Sequence, residues 1–318
     1  MLQHLGNRYR GALCGLAAGD ALGAPYEGLP PGSFEVGEEM AGGGAHGLEP
    51  GQWTDDTAMA LCLATSLLEC RGFDAGDQMD RYVRWLREGY MSSSGQAVGV
   101  GRTVLSSIER YQATGDPMAG SSDPLSAGNG SLMRLAPVPM YLLHDGTRAK
   151  EIAARASRTT HAATEAVDAC RYLSGLIVGA LRGESKDNLL SDLYSPVYNY
   201  WFFQDFALVP AIDAIARGVY KTKKASELPA TGYVVDTLEA ALWAFYQTDT
   251  FEEGALLAVS LGNDTDTTAA VYGQLAGACY GYEAIPRSWR AKIAQLEMIE
   301  KIADSLLRET KQSIRHFT

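Results

Sequence analysis

Residues 8–22 read RYRGALCGLAAGDAL, a run of alanine, leucine and small glycine residues that indicates a helix. Glycine lowers helix stability, yet here it recurs every four residues. That spacing puts the glycines on one helix face, where the backbone of a second helix can approach closely. The triplet GAP at 23–25 predicts the end of this helix. The recurring glycines are Gly11, Gly15 and Gly19.

Helical patterns also dominate the rest of the chain, and no stretch alternates apolar and polar residues with the β-branched enrichment of a strand. We therefore predict an all-α fold, a compact multi-helix bundle. No segment has the composition of a linker, so we expect residues 1–318 to form a single domain. Loops are expected over 28–52, 92–101 and 121–131. One helix is predicted to begin at Thr54, and others to cover 80–88, 104–113, 148–158, 162–182, 204–220, 234–248, 251–261, 266–281 and 287–310.

Charge and cysteine usage exclude some classes of protein. The formal net charge is −11, which argues against a surface that binds nucleic acid by neutralising phosphates. No run reaches the roughly 18 apolar residues of a membrane helix. The cysteines form no CxxC pair and have apolar neighbours, which predicts reduced, buried thiols. With no signal peptide, we expect a cytoplasmic protein. The cysteines are Cys14, Cys62, Cys70, Cys170 and Cys279.

Two short acidic segments stand out, QWTDDT at 52–57 and GNDTDTT at 262–268. Each precedes an Ala-rich helix, so capping of that helix is one explanation. Capping explains one Thr or Asp, but it does not explain adjacent aspartates that repel each other. The alternative is a metal site, because carboxylates and hydroxyls are hard ligands that suit Mg²⁺, Mn²⁺ or Ca²⁺ better than Zn²⁺. Four carboxylates at one place need about two divalent cations, and the spacing does not match a calcium-binding loop.

At these residues the chain resembles the ADP-ribosylglycohydrolases, and within them the type that reactivates dinitrogenase reductase. The resemblance runs nearly from end to end of the chain. The motif GQWTDDT followed by DTDTTAA is specific to this family. It implies a mostly helical fold and a centre of two Mg²⁺ or Mn²⁺ ions. The matching segments are RGALCGLAAGDALG (10–23), GQWTDDT (51–57), GYMSS (89–93), GNGSLMRLAP (128–137), TH (160–161), DACRYLSGL (168–176) and GNDTDTTAAVYGQLAGACYG (262–281). The implied metal ligands are Thr54, Asp55, Asp56, Asp264, Asp266 and Thr267.

The resemblance also implies a substrate and a reaction. The substrate would be an ADP-ribosylated protein, with arginine as the acceptor, and ADP-ribose would be the product. Hydrolysis at C1″ of the distal ribose builds positive charge on the sugar. Two metal ions could orient the ribose hydroxyls and activate a water, with Asp55 or Asp56 as the base. The family also has a catalytic glutamate after GDALGAP, which is Glu27 here. Without the resemblance, Glu27 would be read as a surface acid.

Several residues are candidates for nucleotide binding. Gly-rich turns expose N–H groups to anions, although such a stretch can also be a plain turn. The family places a histidine near the nucleotide, whereas a lone histidine is more often structural. The two tyrosines could stack on adenine or flank the ribose, or simply pack in the protein. The candidates are Ser92, Ser93, Asn129, Gly130, Ser131, His161, Tyr90 and Tyr233.

One segment departs from the family pattern. Relatives often carry an aspartate near the substrate shortly after GYMSS, whereas residues 97–101 read AVGVG here. The missing acid leaves open a different acceptor: ADP-ribosyl-serine, O-acetyl-ADP-ribose or an ADP-ribosylated nucleic acid. A third possibility is a catalytically silent protein that binds ADP-ribose or serves a structural role. Such a protein would have lost metal ligands, and all six are present here.

Overall fold

The computed structural model describes residues 2–315, with side chains from residue 4 to residue 312. This part of the chain is helical and contains no β-strand beyond three isolated bridges, which confirms the predicted all-α class. The helices are α1 (Leu2–Gly23), α2 (Asp55–Glu69), α3 (Ala75–Glu88), α4 (Arg102–Thr114), α5 (Pro137–Tyr141), α6 (Gly146–Arg158), α7 (Thr164–Arg182), α8 (Lys186–Leu189), α9 (Pro210–Ala216), α10 (Val234–Gln247), α11 (Phe251–Ser260), α12 (Thr265–Tyr280), α13 (Arg287–Lys292) and α14 (Leu296–Arg315).

The glycine face of α1 packs against α12, as the four-residue spacing predicted. A Cβ atom added to Gly15 would lie 2.4 Å from the Gly273 carbonyl oxygen, and one added to Gly19 would lie 2.0 Å from that of Ala269. The paired positions run in opposite directions, so the two helices are antiparallel. The C-terminal end of α1 therefore lies beside the N-terminal end of α12, where the second acidic segment is found.

Two predicted helices are wrong over part of their length. The helix expected over 204–220 is reduced to α9, because Pro210 can occupy only its first turn and Gly218 leaves it with a left-handed φ of 84°. The helix expected over 287–310 is broken at Gln295, which has a φ of 55°. There Ala294 N–H donates to the Gly51 carbonyl (2.9 Å), so a tertiary contact replaces a helical one.

Other differences are smaller. Helix α3 begins before the predicted Asp80, because Asp74 accepts a hydrogen bond from Asp77 N–H and caps it. Helices α5 and α8 were not predicted, and both are short. The predicted loops over 28–52, 92–101 and 121–131 contain no α-helix, although Pro124–Ser126 forms a 3-10 turn.

The buried apolar side chains form one continuous cluster that includes residues of α1, α2, α7, α10 and α12. From this cluster we infer that the chain is one domain. The predicted burial of the cysteines is confirmed for Cys14, Cys62 and Cys170. It is wrong for Cys70, which is exposed because it follows the last residue of α2, and Cys279 is only partly buried. In the described part of the chain, no helix combines the length and apolar character that a membrane span needs.

Candidate functional site

Three helix ends bring acidic side chains together in the interior. They are the C-terminal part of α1 and the N-terminal ends of α2 and α12, the latter two carrying the segments at 52–57 and 262–268. Asp20, Asp56 and Asp266 each place a carboxylate oxygen within 4.8 Å of the other two, and all three side chains are buried. The two acidic segments therefore converge, although about 200 residues separate them in the sequence. Asp20 is an additional acid that the sequence analysis did not identify.

Thr54 is at the centre of this group. Its Oγ1 lies 2.9 Å from Asp20 Oδ1, 3.2 Å from Asp56 Oδ2 and 3.5 Å from Asp266 Oδ2. Asp20 also accepts hydrogen bonds from Thr54 N–H (2.9 Å), Thr57 N–H (3.0 Å) and Thr57 Oγ1 (2.6 Å). A side chain of α1 thus satisfies the free N–H groups at the start of α2. In this way Asp20 fixes the orientation of the first acidic segment.

Capping by the segments' own side chains does not explain their composition. The N-cap residues of α2 and α12 are Thr54 and Asp264, and the side chain of neither makes a capping hydrogen bond. Asp264 Oδ2 instead accepts a hydrogen bond from Asn129 Nδ2 (2.7 Å). The N-cap positions of the two helices therefore do not account for the acidic residues of these segments.

The cluster is electrostatically unfavourable as it stands. Burial, followed by the charge of neighbouring carboxylates, raises the pKa of Asp55, Asp56 and Asp266 well above the ordinary value. Burial also raises the pKa of Asp20 to about 6, although four hydrogen bonds oppose this effect. Within the described residues, Asp56 Oδ1 is buried without a hydrogen-bond partner. A buried oxygen without a partner in a cluster of hard oxygen donors fits a divalent cation.

The acidic group opens into a cavity of about 710 Å³. This volume lies within the range of sites that hold small molecules and cofactors. The acidic side chains lining the cavity outnumber the cationic ones: among the lining residues of the described chain, Arg102 is the only arginine or lysine. Arg102 is exposed and begins α4, whose first turn also lines the cavity. The acidic lining residues are Glu27, Asp55, Glu165, Asp264 and Asp266.

His161 and residues 128–130 of the predicted turn form another part of the cavity wall. A Cβ atom added to Gly130 would lie 2.8 Å from His161 Cε1, so the glycine allows the ring to approach the backbone. Burial and the nearby Arg134 lower the pKa of His161 to about 3, which keeps the ring neutral. Arg134 donates to Thr160 Oγ1 (2.7 Å), and that hydroxyl lies 2.9 Å from His161 Nδ1. Because the hydroxyl accepts from Arg134, its own hydrogen is free to point to Nδ1, an arrangement that puts the ring hydrogen on Nε2.

The other predicted nucleotide-binding residues are divided. Asn129 and Gly130 line the cavity, and Tyr233 lies at its edge with 39% of its surface exposed. The remaining four do not line it and bond within the protein. Ser93 Oγ bridges the N–H and carbonyl of Trp53, Ser131 Oγ accepts from Ser157, Ser92 Oγ donates to the Gln96 carbonyl, and Tyr90 Oη accepts from Arg81.

The segment without an acid also reaches the cavity. Gly99 has a left-handed φ of 80°, and a Cβ atom there would lie 2.3 Å from Asp55 Oδ1. No side chain fits at this position while Asp55 keeps its place. Gly99 therefore allows Asp55 to approach the backbone of this segment at the cavity wall.

Two further cavity or cluster residues escaped the sequence analysis, and each had a usable signal. Asp20 is an acid within a run of small apolar residues, where a buried carboxylate needs a specific partner. Arg102 directly follows the glycine-rich stretch at 99–101, so it stands at a loop-to-helix junction. Both features can be seen in the local sequence, but neither one predicts which distant residues the side chain contacts in the folded protein.

Known proteins provide a separate comparison. A sequence model of the ADP-ribosylglycohydrolase family matches residues 1–315. An ADP-ribosylarginine hydrolase of Serratia proteamaculans is 38% identical over 300 residues, which are 94% of this chain and 79% of that relative. The ADP-ribosyl-dinitrogen reductase glycohydrolase of Rhodospirillum rubrum is 32% identical over 291 residues, which are 90% of this chain and 90% of that relative. A solved structure named as an ADP-ribosylglycohydrolase-related protein complex has a TM-score of 0.84 and 47% identity, covering 97% of this chain and 99% of that one.

Proposed function

Because the chain belongs to the ADP-ribosylglycohydrolase family, we propose that it removes ADP-ribose from ADP-ribosylated proteins, with arginine as the acceptor. The observation that carries this proposal is the convergence of buried carboxylates beside a cavity large enough for a nucleotide. The names of the relatives from Serratia and Rhodospirillum describe this class of reaction, and the first of them names arginine.

We propose that two Mg²⁺ or Mn²⁺ ions are held by Thr54, Asp55, Asp56, Asp264, Asp266 and Thr267. The unpartnered Asp56 Oδ1 and the raised carboxylate pKa values support this assignment. Such ions would supply charge stabilisation and lower the pKa of a water. Asp20 differs from the six residues, since both of its oxygens already accept hydrogen bonds from Thr54 and Thr57. We assign it the role of orienting Thr54.

Of the two candidate bases, Asp55 fits better than Asp56. Asp55 lines the cavity and lies against Gly99, whereas Asp56 does not line it. In this proposal Asp55 takes a proton from the attacking water as the bond between C1″ and the acceptor nitrogen breaks. Glu27 also lines the cavity, where its negative charge favours the positive charge that develops on the sugar.

The opposite charge is needed for the diphosphate of ADP-ribose. Arg102 carries it, and we propose that its guanidinium binds one phosphate, since arginine can bond phosphate through two N–H groups. Neutral His161 offers an Nε2 hydrogen to the nucleotide, beside the backbone of Gly130. Tyr233, at the edge, offers an aromatic face to adenine. Ser92, Ser93, Ser131 and Tyr90 support the surrounding loops through their internal hydrogen bonds.

The test is release of ADP-ribose from substrates with defined acceptors. We expect hydrolysis of ADP-ribosyl-arginine that stops with EDTA and returns with Mn²⁺ or Mg²⁺. Asp55→Asn should lower kcat by on the order of 10²- to 10⁴-fold. Asp249→Asn serves as the matched control, because Asp249 is exposed and pairs with Lys186 away from the cavity. Indifference to EDTA, or an Asp55→Asn variant with full activity, would contradict the proposed chemistry.

The absence of an acid over 97–101 makes the acceptor a question for the same assay. ADP-ribosyl-serine, O-acetyl-ADP-ribose and an ADP-ribosylated nucleic acid are therefore included as substrates. Release from one of these but not from arginine would keep the reaction and change the acceptor. Binding of ADP-ribose without release from any substrate would indicate a silent binding protein.

A further inference from the structure

The backbone around Glu27 does not by itself fix the orientation of the Glu27 side chain. It follows the 3-10 turn Ala24–Tyr26 and lines the cavity, and its side chain is 35% exposed. It shares this cavity with Asp55 and Asp266, whose side chains are buried, whereas the Glu27 side chain reaches the cavity from the exposed side. A long, half-exposed side chain also loses rotamer freedom when it is held at one site. A contact from another residue is therefore needed to keep the Glu27 carboxylate at the cavity.

His46 provides the contact that does so. Its Nε2 lies 2.7 Å from Glu27 Oε2, and its side chain is 26% exposed. Because a carboxylate only accepts, the hydrogen of this bond is on His46 Nε2. His46 does not itself line the cavity within the described chain. Its influence on the cavity must pass through Glu27.

The loop that carries His46 is built to present it. Gly43 and Leu48 exchange two backbone hydrogen bonds of 2.7 and 3.1 Å, and Gly47 N–H donates to the Gly44 carbonyl (3.2 Å). Gly44 and Gly47 have left-handed φ angles of 68° and 60°, which suit glycine in such a tight turn. An added Cβ on Gly44 would meet Pro25 Cα at 2.7 Å, so the turn rests on the residues just before Glu27.

We propose that His46 is a positioning residue that holds the Glu27 carboxylate at the edge of the cavity. This inference rests on the proposed function, since it concerns the same site. It goes further in assigning a role to a loop residue outside the cavity. The turn at 43–48 then serves to place one imidazole beside one carboxylate.

A double-mutant cycle tests the proposal. His46→Ala should lower kcat about tenfold, the usual scale for losing a hydrogen bond to a charged group. In a Glu27→Ala background, the same substitution should change kcat less than about twofold, because the group that His46 positions is absent. His46→Gln should retain most of the activity, since its amide can still donate to Glu27. The same cycle is measured on the Kd for ADP-ribose in Mn²⁺ by calorimetry, where the same non-additivity is expected.

The control is Glu39→Ala, which removes a surface ion pair with Lys292 from the same loop and does not touch Glu27. We expect it to change kcat and Kd less than about twofold. Additive effects of His46→Ala and Glu27→Ala in both quantities, or no effect of His46→Ala on either, would overturn the proposal. If the wild-type protein binds ADP-ribose but hydrolyses no substrate, the proposed function fails, and the cycle in Kd still decides the role of His46.

Discussion

The close packing of α1 on α12 can be tested at Gly19. A Cβ atom there would lie 2.0 Å from the Ala269 carbonyl oxygen, 2.4 Å from its carbonyl carbon and 2.8 Å from Ala270 N. All three atoms are backbone, so a side-chain rotation cannot relieve the clash. Ordinary contact begins at 3.4 Å, and the helices must therefore separate by more than about 1 Å.

The expected cost of Gly19→Ala follows from two opposing effects. Overpacking a core by one methyl group costs typically about 1–3 kcal/mol, and backbone contacts put this site at the upper end. Alanine gains about 1 kcal/mol over glycine in a helix. We therefore expect a net loss of about 2 kcal/mol in the free energy of unfolding. Because Asp20 follows Gly19, the separation also moves it relative to Asp266. The affinity for Mn²⁺ should then fall by about tenfold, the lower end for disturbed support of a metal ligand.

Gly6→Ala is the matched control on the same helix. Among the described atoms, its added Cβ would meet only Leu307 Cδ2, at an ordinary 3.6 Å. This variant should be as stable as the wild type, or more stable by up to about 1 kcal/mol. Urea unfolding followed by circular dichroism gives the stabilities, and calorimetry gives the Mn²⁺ affinities. If Gly19→Ala behaves like Gly6→Ala in both measurements, the reasoning from the helix packing is refuted.

Two further predictions concern charge. Asp20 has a pKa of about 6 in the folded chain, against 3.8 for the ordinary group. Between these two pH values the folded state therefore binds more protons than the unfolded state. In EDTA, the free energy of unfolding should therefore fall as pH rises above about 4, by up to ~1.4 kcal/mol per pH unit for each such proton. Urea titrations from pH 4.5 to 8 check this, and a rise in stability over that range would contradict it. Arg102→Ala should raise the Kd for ADP-ribose at least about tenfold by calorimetry, with Arg102→Lys intermediate. Unchanged affinity in Arg102→Ala would remove Arg102 from the diphosphate site.

The sequence was informative where one local pattern had one structural consequence. The four-residue glycine spacing of α1 predicted a close helix contact, and the backbone of α12 provides it. The segments QWTDDT and GNDTDTT predicted an oxygen-rich site, and they do converge. Asp20 was missed because its role depends on Thr54 and Thr57, which α2 brings opposite it. Sequence spacing within one helix carries no information on that approach.

Polar loop residues were the least predictable class. Ser92, Ser93 and Ser131 have hydroxyls that can bind a phosphate or bond to the nearby backbone and to other hydroxyls. The structure has them in internal hydrogen bonds, and the choice depends on which groups the fold leaves unsatisfied. The helix expected over 204–220 is wrong for a different reason: Pro210 restricts the helix to the residues after it and Gly218 ends it, and these two effects outweigh the apolar pattern.

The charge distribution of the cavity bears on the choice of acceptor. An acid at position 99 would have to displace Asp55, because a Cβ atom there already comes within 2.3 Å of the Asp55 carboxylate. The missing acid does not leave the cavity without negative charge, since Glu27, Asp55 and Glu165 all line it. A guanidinium-linked ADP-ribose carries a positive charge at the acceptor and negative charge at the diphosphate, whereas a serine-linked one carries only the latter. Acidic groups and a single Arg102 suit the first distribution better, because each end of that substrate meets the opposite charge. The cavity as a whole therefore favours arginine, even though residues 97–101 contain no acid.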